Sequence, residues 1–261
     1  MQFAIDNSGL RSQPTKNARG LCPSCGERVI AKCGKIKVHH WAHEAGKDCD
    51  TWYEPETEWH RAWKQHFPME CVEVPLGEHR ADIRINNLVI ELQNSPISPA
   101  EISARERFYG RMIWIINAEK FGERFFLLRL MENNLFSFKW KHMKSSWRFA
   151  RRPVYFDFGA GTVKHLLAAT FTDSTVFFTP MGDEESRGSS FVGRYEGPGD
   201  DEKTSLGYRA DEAFAHLDEE VLGCSILLKN SLHDNGYGSA TALSRTKFMA
   251  QCGIAPVEFE T

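Results

Sequence analysis

Asp82 and Glu91, with Gln93 close behind, are the residues of this chain whose types and spacing best suit chemistry. They flank Asn86-Asn87, and asparagine tolerates the positive φ values of a two-residue type I′ hairpin turn. Counting outward from that turn opposes Ile85 to Leu88, Ile83 to Ile90, Asp82 to Glu91 and Arg80 to Gln93. Opposed residues share a face, so Ile83, Ile85, Leu88, Ile90 and Leu92 make an apolar side, and Asp82, Glu91 and Gln93 a polar one. Like charges directly opposed destabilise a strand pair unless a cation neutralises them, and a hard divalent ion held by oxygen ligands meets that need. The competing reading is a charged hairpin edge facing solvent.

The elements around the hairpin must bring further groups to it. Upstream, Glu56, His60 and Lys64 recur every fourth residue beside a stripe of Trp59, Trp63 and Phe67, which predicts an amphipathic helix with Pro55 in its first turn and Pro68 at its end. Glu56 lies on the polar row and Glu58 off it, so Glu56 is the expected third acid, with Glu58 the alternative if the helix is shifted by one residue. Downstream, Ser98 reads as an N-cap, Pro99 as the first helical residue, Glu101 as the closing member of a capping box, and Ile97 with Ile102 as a staple. A helix from Pro99 to Tyr109 follows, ended by Gly110. Met112 to Ile116 is a continuous apolar run, as in a strand buried on both faces. With a strand near Glu70 to Pro75, the predicted order is αβββαβ, an α/β fold with a right-handed strand–helix–strand crossover.

That order resembles the restriction-endonuclease-like PD-(D/E)XK superfamily and, more narrowly, the competence protein CoiA-like nuclease family. The resemblance is carried by Cys22-Pro23-Ser24-Cys25, His39-His40-Trp41-Ala42-His43, Glu56 to His60 with Lys64, Ala81-Asp82, Glu91 to Ser95 with Ile97, and Arg105 with Tyr109. It implies a metal-dependent DNA nuclease in which Asp82 and Glu91 bind Mg²⁺ or Mn²⁺, Glu56 and His60 support them from the helix, and Gln93 stands where most relatives carry lysine. Lys64 would supply the missing positive charge, and His60 or Lys64 would orient or deprotonate the attacking water. Arg105 and Tyr109 would contact the DNA backbone. The alternative is a weak or inactive nuclease fold that binds DNA or recruits a partner; a third reading is action on RNA or a modified nucleotide.

Of seven cysteines, Cys22, Cys25, Cys33 and Cys49 share a short window with His39, His40 and His43. Cys-x2-Cys is the spacing of a structural zinc knuckle. Cys22 and Cys25 are the first pair; His40 and His43 are the favoured second pair, with Cys49 as substitute for either. Four protein ligands leave no open position on the ion, so its role would be structural.

The chain has no long apolar span and no secretory h-region, and its cysteines suit a reducing cytoplasm; a membrane protein or disulfide scaffold is not expected. Residues 1–150 carry 22 Lys and Arg against 18 Asp and Glu, and residues 151–261 carry 10 against 17, so the basic excess lies with the predicted nuclease. It is densest at Lys139, Lys141, Lys144, Arg148, Arg151 and Arg152, interleaved with Trp140, Trp147 and Phe149. Such a segment suits phosphate contact with base stacking, Lys141, Lys144 and Arg148 being the candidates; inward-packed aromatics on a solvated strand are the alternative. Val154 to Phe158, Thr175 to Phe178 and Cys224 to Leu228 read as strands, 182–205 as a linker, and 208–230 as a helix followed by the last of these strands. The expected organisation is a zinc-knuckle domain over 1–50, a nuclease-like domain over 51–180 and an acidic extension over 181–261, the last a candidate protein-interaction segment.

Overall fold

The computed structural model describes residues 1–46, 49–132, 135–159, 221 and 224–254. The predicted Thr175 to Phe178 strand, the 182–205 linker and the helix after residue 208 lie outside the described residues. The chain divides into two compact units, one of 1–117, 149–155 and 246–261, the other of 118–148 and 156–245. The division falls elsewhere than at residues 50 and 180, because the N-terminal segment packs into the same unit as the hairpin.

The first unit opens with five short strands, β1 (Ala4–Ile5), β2 (Arg11–Ser12), β3 (Arg19–Leu21), β4 (Arg28–Lys32) and β5 (His40–His43), in the antiparallel order β2-β1-β3-β4-β5. Its small core is Met1, Ala4, Cys22, Val29 and Trp41, and the Trp41 Nε1–H finds the Ser12 carbonyl at 3.0 Å. Gly20 lets β3 approach β1: a Cβ there would lie 2.7 Å from the Ile5 carbonyl oxygen. So few apolar side chains make a weak core alone.

The same unit continues through α1 (Glu58–Lys64), β6 (Val72–Leu76), β7 (His79–Ile85), β8 (Leu88–Gln93), α2 (Pro99–Tyr109) and β9 (Met112–Asn117). β6, β7 and β8 pair antiparallel, while β8 and β9 run parallel across α2. The hairpin has the register that counting predicts, Ile85 with Leu88 and Ile83 with Ile90, and Asn86 and Asn87 have φ of 47° and 61°. Every residue of β9 is buried. α2 begins and ends as predicted, capped by Ser98 and stopped by Gly110 at φ 66°. Glu101 differs: its carboxylate pairs with Arg105 at 2.5 Å along the helix instead of reaching back. α1 also differs. Thr57 is its N-cap, so Pro55 and Glu56 precede the helix. The reason is local, since His60 accepts from the Thr57 backbone in the place a Glu would take in a capping box, and its own backbone N–H returns the bond to the Thr57 hydroxyl.

The second unit contains β10 (Phe125–Glu132), β11 (Leu135–Trp140), β13 (Ile226–Leu232) and β14 (Tyr237–Leu243), paired antiparallel as β10-β11-β14-β13. β12 (Val154–Asp157) has its last two residues here, and a short helix α3 (Arg245–Gln251) returns the chain to the first unit. Phe136, Phe138 and Trp140 alternate inward along β11, and Phe125 stacks on Phe138 with ring centroids 4.5 Å apart. In the first unit Phe248 of α3 packs edge-on against Trp63 and Tyr155.

Candidate functional site

One step beyond the Ile83–Ile90 pair, Asp82 and Glu91 stand side by side. Their carboxylates take amides at the end of the strand ladder: the Asp82 N–H donates to Glu91 Oε1 at 3.3 Å, and the Leu92 N–H to Asp82 Oδ2 at 3.0 Å. β6 adds a third acid. Val72 opposes Ile83 and Val74 opposes Ala81, so Glu73 sits between them opposite Asp82. Three neighbouring strands thus place Glu73, Asp82 and Glu91 in one row.

Two buried cations meet this row from the helices. Lys64 Nζ lies 3.0 Å from Glu56, 3.3 Å from Glu73 and 3.1 Å from Asp82. Arg105 Nη1 lies 2.9 Å from Glu91 Oε2, and its Nη2 donates to the Trp52 carbonyl at 2.9 Å. Burial alone would raise the Asp82 pKa, but the charge of Lys64, helped by the Leu92 N–H, outweighs it and holds the carboxyl below its ordinary value. Burial alone would lower Lys64; Asp82, Glu56 and Glu73 more than reverse that, so its ammonium is firmly charged. Glu91 differs from Asp82. Burial, followed by the charge of Asp82, pushes its carboxyl up to about 8 against the pull of Arg105. Side by side, one carboxyl is held ionised and the other resists ionisation, the condition a divalent cation would relieve.

Glu56 turns inward, with its side chain 6% exposed, while Glu58 is exposed. His60 is buried, its Nδ1 accepting from the Thr57 N–H at 3.2 Å and its Nε2 lying 3.7 Å from Glu54 Oε2. Because Nδ1 accepts, the neutral ring carries its proton on Nε2. Gln93 is buried but directed elsewhere: its Nε2 donates to the Ser95 carbonyl at 3.0 Å. The cavity beside the row is lined by Tyr53, Glu54, His60, Asp82, Glu91 and Arg105 among others, and Gln93 is not in its wall. Arg105 is buried in ion pairs, so it is not an outward DNA contact; Tyr109 packs against Trp52 and Phe108. In the second unit Lys141 lies over the Phe126 ring, Arg148 pairs with Asp234, and Lys144 is exposed. Trp140 and Trp147 pack inward, which leaves Phe149 as the exposed aromatic of that basic segment.

Glu73, Glu54, Asp50 and Trp52 are site residues that the sequence reading passes over. Glu73 carried a signal: Gly77 at positive φ turns β6 into β7 with Leu76 opposite His79, and counting outward from Gly77-Glu78 reaches Glu73 and Asp82.

A second cluster lies in the N-terminal sheet. Cys22, Cys25, His43 and Cys49 present ligand atoms all within 4.8 Å of one another. Cys22 Sγ is 3.7 Å from Cys49 Sγ, and Cys25 Sγ is 3.3 Å from His43 Nε2. Thiolates bound tetrahedrally to one zinc at about 2.3 Å stand about 3.8 Å apart, so this donor set fits a structural Zn²⁺. The Ser24 N–H donates to Cys22 Sγ at 3.4 Å, a bond that supports a bound thiolate. Burial, then the neighbouring Cys22 and Cys25 thiols, push the Cys49 thiol up to about 12, as expected of ligands brought together for a cation. His40 is not in the set. On a strand, residues three apart point to opposite faces, so His43 turns inward with Trp41 while His40 Nδ1 meets the Val38 carbonyl at 2.9 Å. Cys49 supplies the fourth ligand.

A mixed α/β unit with a three-carboxylate row, joined to a Cys3His cluster, is the class of protein that fold and sites define. Residues 7–51 match the family model of the competence protein CoiA N-terminal domain. No curated protein matches the chain. No solved structure matches it. No helix among the described residues is long and apolar enough to cross a membrane.

Proposed function

We propose that this protein is a Mg²⁺- or Mn²⁺-dependent DNA nuclease with a restriction-endonuclease-like core, acting on DNA taken up or recombined in competence or handled in phage-related processing. The observation that carries the reading is the buried Asp82–Glu91 pair, whose second member is pushed up to about 8 by burial and by the first. The element order α1-β6-β7-β8-α2-β9 and the CoiA-like N-terminal domain support it. Two hard oxygen donors suit either ion, and each carboxylate oxygen keeps a lone pair after its hydrogen bond. The ion, when bound, would polarise the scissile phosphate and lower the pKa of a bound water. Lys64 supplies fixed positive charge beside Asp82, and Arg105 holds the Glu91 carboxylate in place. His60 donates from Nε2 in its neutral form, which suits holding Glu54 or a water and not taking a proton there. The test is to incubate the protein with labelled single-stranded DNA, double-stranded DNA and RNA, with and without Mg²⁺ and Mn²⁺. Metal-dependent cleavage of DNA that Glu91→Gln abolishes is the expected result; intact DNA under every condition overturns it.

One observation favours a second reading. Lys64 and Arg105 already pair with Asp82 and Glu91, and Gln93 is turned to Ser95, so the same site could serve a DNA-binding or recruiting factor that cleaves weakly or not at all. Metal-independent DNA binding without cleavage would select it.

A further inference from the structure

The two clusters of the first unit are tied together through Asp50. Asp50 follows the ligand Cys49 and is 5% exposed. Its Oδ1 accepts from the Trp52 N–H at 2.9 Å and lies 2.8 Å from His79 Nδ1; its Oδ2 accepts from the Arg80 N–H at 2.8 Å. One carboxylate therefore fixes the start of β7, the strand that carries Asp82, and the turn that carries Trp52. Trp52 stacks flat on His79, ring centroids 3.2 Å apart, and its carbonyl accepts the Arg105 hydrogen bond. Arg105 also lies over the Trp52 ring and ends on Glu91.

Cys49 is solvent-exposed, and its Sγ is 3.7 Å from that of Cys22. Ligation at that sulfur would fix where the next residue begins. We propose that Asp50 is a positioning residue through which the ion of the Cys22–Cys25–His43–Cys49 cluster holds Asp82 and the Arg105–Glu91 pair in register. The inference rests on the proposed nuclease reading for its consequence in catalysis, and on the hydrogen bonds alone for its structural part. It gives the knuckle metal a task beyond folding its own small sheet: the carboxylate site is set only while that ion is held.

The experiment reads backbone amide exchange at 79–82 and 89–93, without DNA, in wild type, Asp50→Ala and Asp50→Asn, each before and after chelation, with zinc content measured on every sample. In wild type, chelation should speed exchange at both segments about tenfold, as for an easier local opening. In Asp50→Ala that still holds one zinc, exchange should be equally fast before chelation and change no further after it. Should Asp50→Ala prove insoluble, Asp50→Asn, which keeps one acceptor oxygen and loses the bond from Arg80, carries the test with the same direction. In cleavage, Asp50→Asn should lower kcat about tenfold with KM for DNA unchanged, since the carboxylate pair and not the DNA-binding surface is displaced. Exchange at 79–82 and 89–93 that ignores both chelation and the Asp50 variants overturns the proposal. Wild type that cleaves nothing would overturn the nuclease reading and leave the exchange result standing.

Discussion

Asp82 and Glu91 occupy equivalent places on paired strands, yet their neighbours divide their behaviour. Removing either carboxylate of an isolated repulsive pair should relieve it; here Lys64 makes Asp82 a needed partner, and relief falls to Glu91 alone. Glu91 has an ordinary value near 4.5 and is raised to about 8 in the fold, so between those pH values the folded state binds more protons than the unfolded. Metal-free stability should therefore fall as pH rises from about 4.5 to about 8 and level off above. Melting temperatures across that range should show the slope in wild type, and Glu91→Gln should flatten it and melt higher at pH 8; added Mn²⁺ should do the same by favouring the ionised pair. A flat wild-type profile would rule the repulsion out. Lys64→Ala has the opposite sign. It leaves Glu56, Glu73 and Asp82 without their shared cation, which costs about 3–5 kcal/mol in comparable buried pairs, to be read by denaturant titration at pH 7.

At the level of elements, much of the site was legible because hairpins and caps are local. Asn86-Asn87 sets the register of β7 and β8, and Ser98-Pro99 with Gly110 sets the ends of α2. What was not legible depended on which face an element presents after folding. The cluster of residues 22 to 49 offers more sulfur and imidazole groups than four positions can use, and only the strand geometry of His40–His43 decides that His43 enters and His40 does not. Two substitutions check this: His40→Ala should retain one zinc per chain by elemental analysis, whereas Cys49→Ser should lose it or bind it far more weakly. Loss of zinc in His40→Ala would restore the histidine pair. Arg105 and Gln93 were illegible for the same reason. Their spacing gives no sign that one turns inward to Glu91 and the other away to Ser95.

For the molecule as a whole, the charge bias toward residues 1–150 could be counted from sequence, but its availability could not. Lys64 and Arg105 are consumed by internal carboxylates, and Lys141 and Arg148 have partners of their own. Lys35 and Lys37 are different, exposed on the β4–β5 connection with Ile36, which is 98% exposed, between them. On the proposed function, these lysines rather than Arg105 would meet phosphate. Replacing both by Ala should weaken DNA binding at every sequence tested and reduce the slope of log affinity against log salt by about 1 for each lysine that meets a phosphate. An unchanged slope would move the DNA surface away from this connection.

Glu73 carries one further consequence, for anyone wishing to build on this scaffold. Its backbone lies at φ 49°, a conformation that suits Gly, Asn or Asp and costs about 1 kcal/mol or more in a longer side chain. That geometry turns its carboxylate onto the Gln2 and Phe3 amides while it also faces Lys64. Replacing Glu73 by Gly would remove that strain, but it would also strip the Gln2 and Phe3 amides of their acceptor and Lys64 of one of its three carboxylates, so the relaxed backbone should belong to the less stable molecule. The strained turn of the backbone is therefore what ties the first residues of the chain to the centre of the carboxylate row.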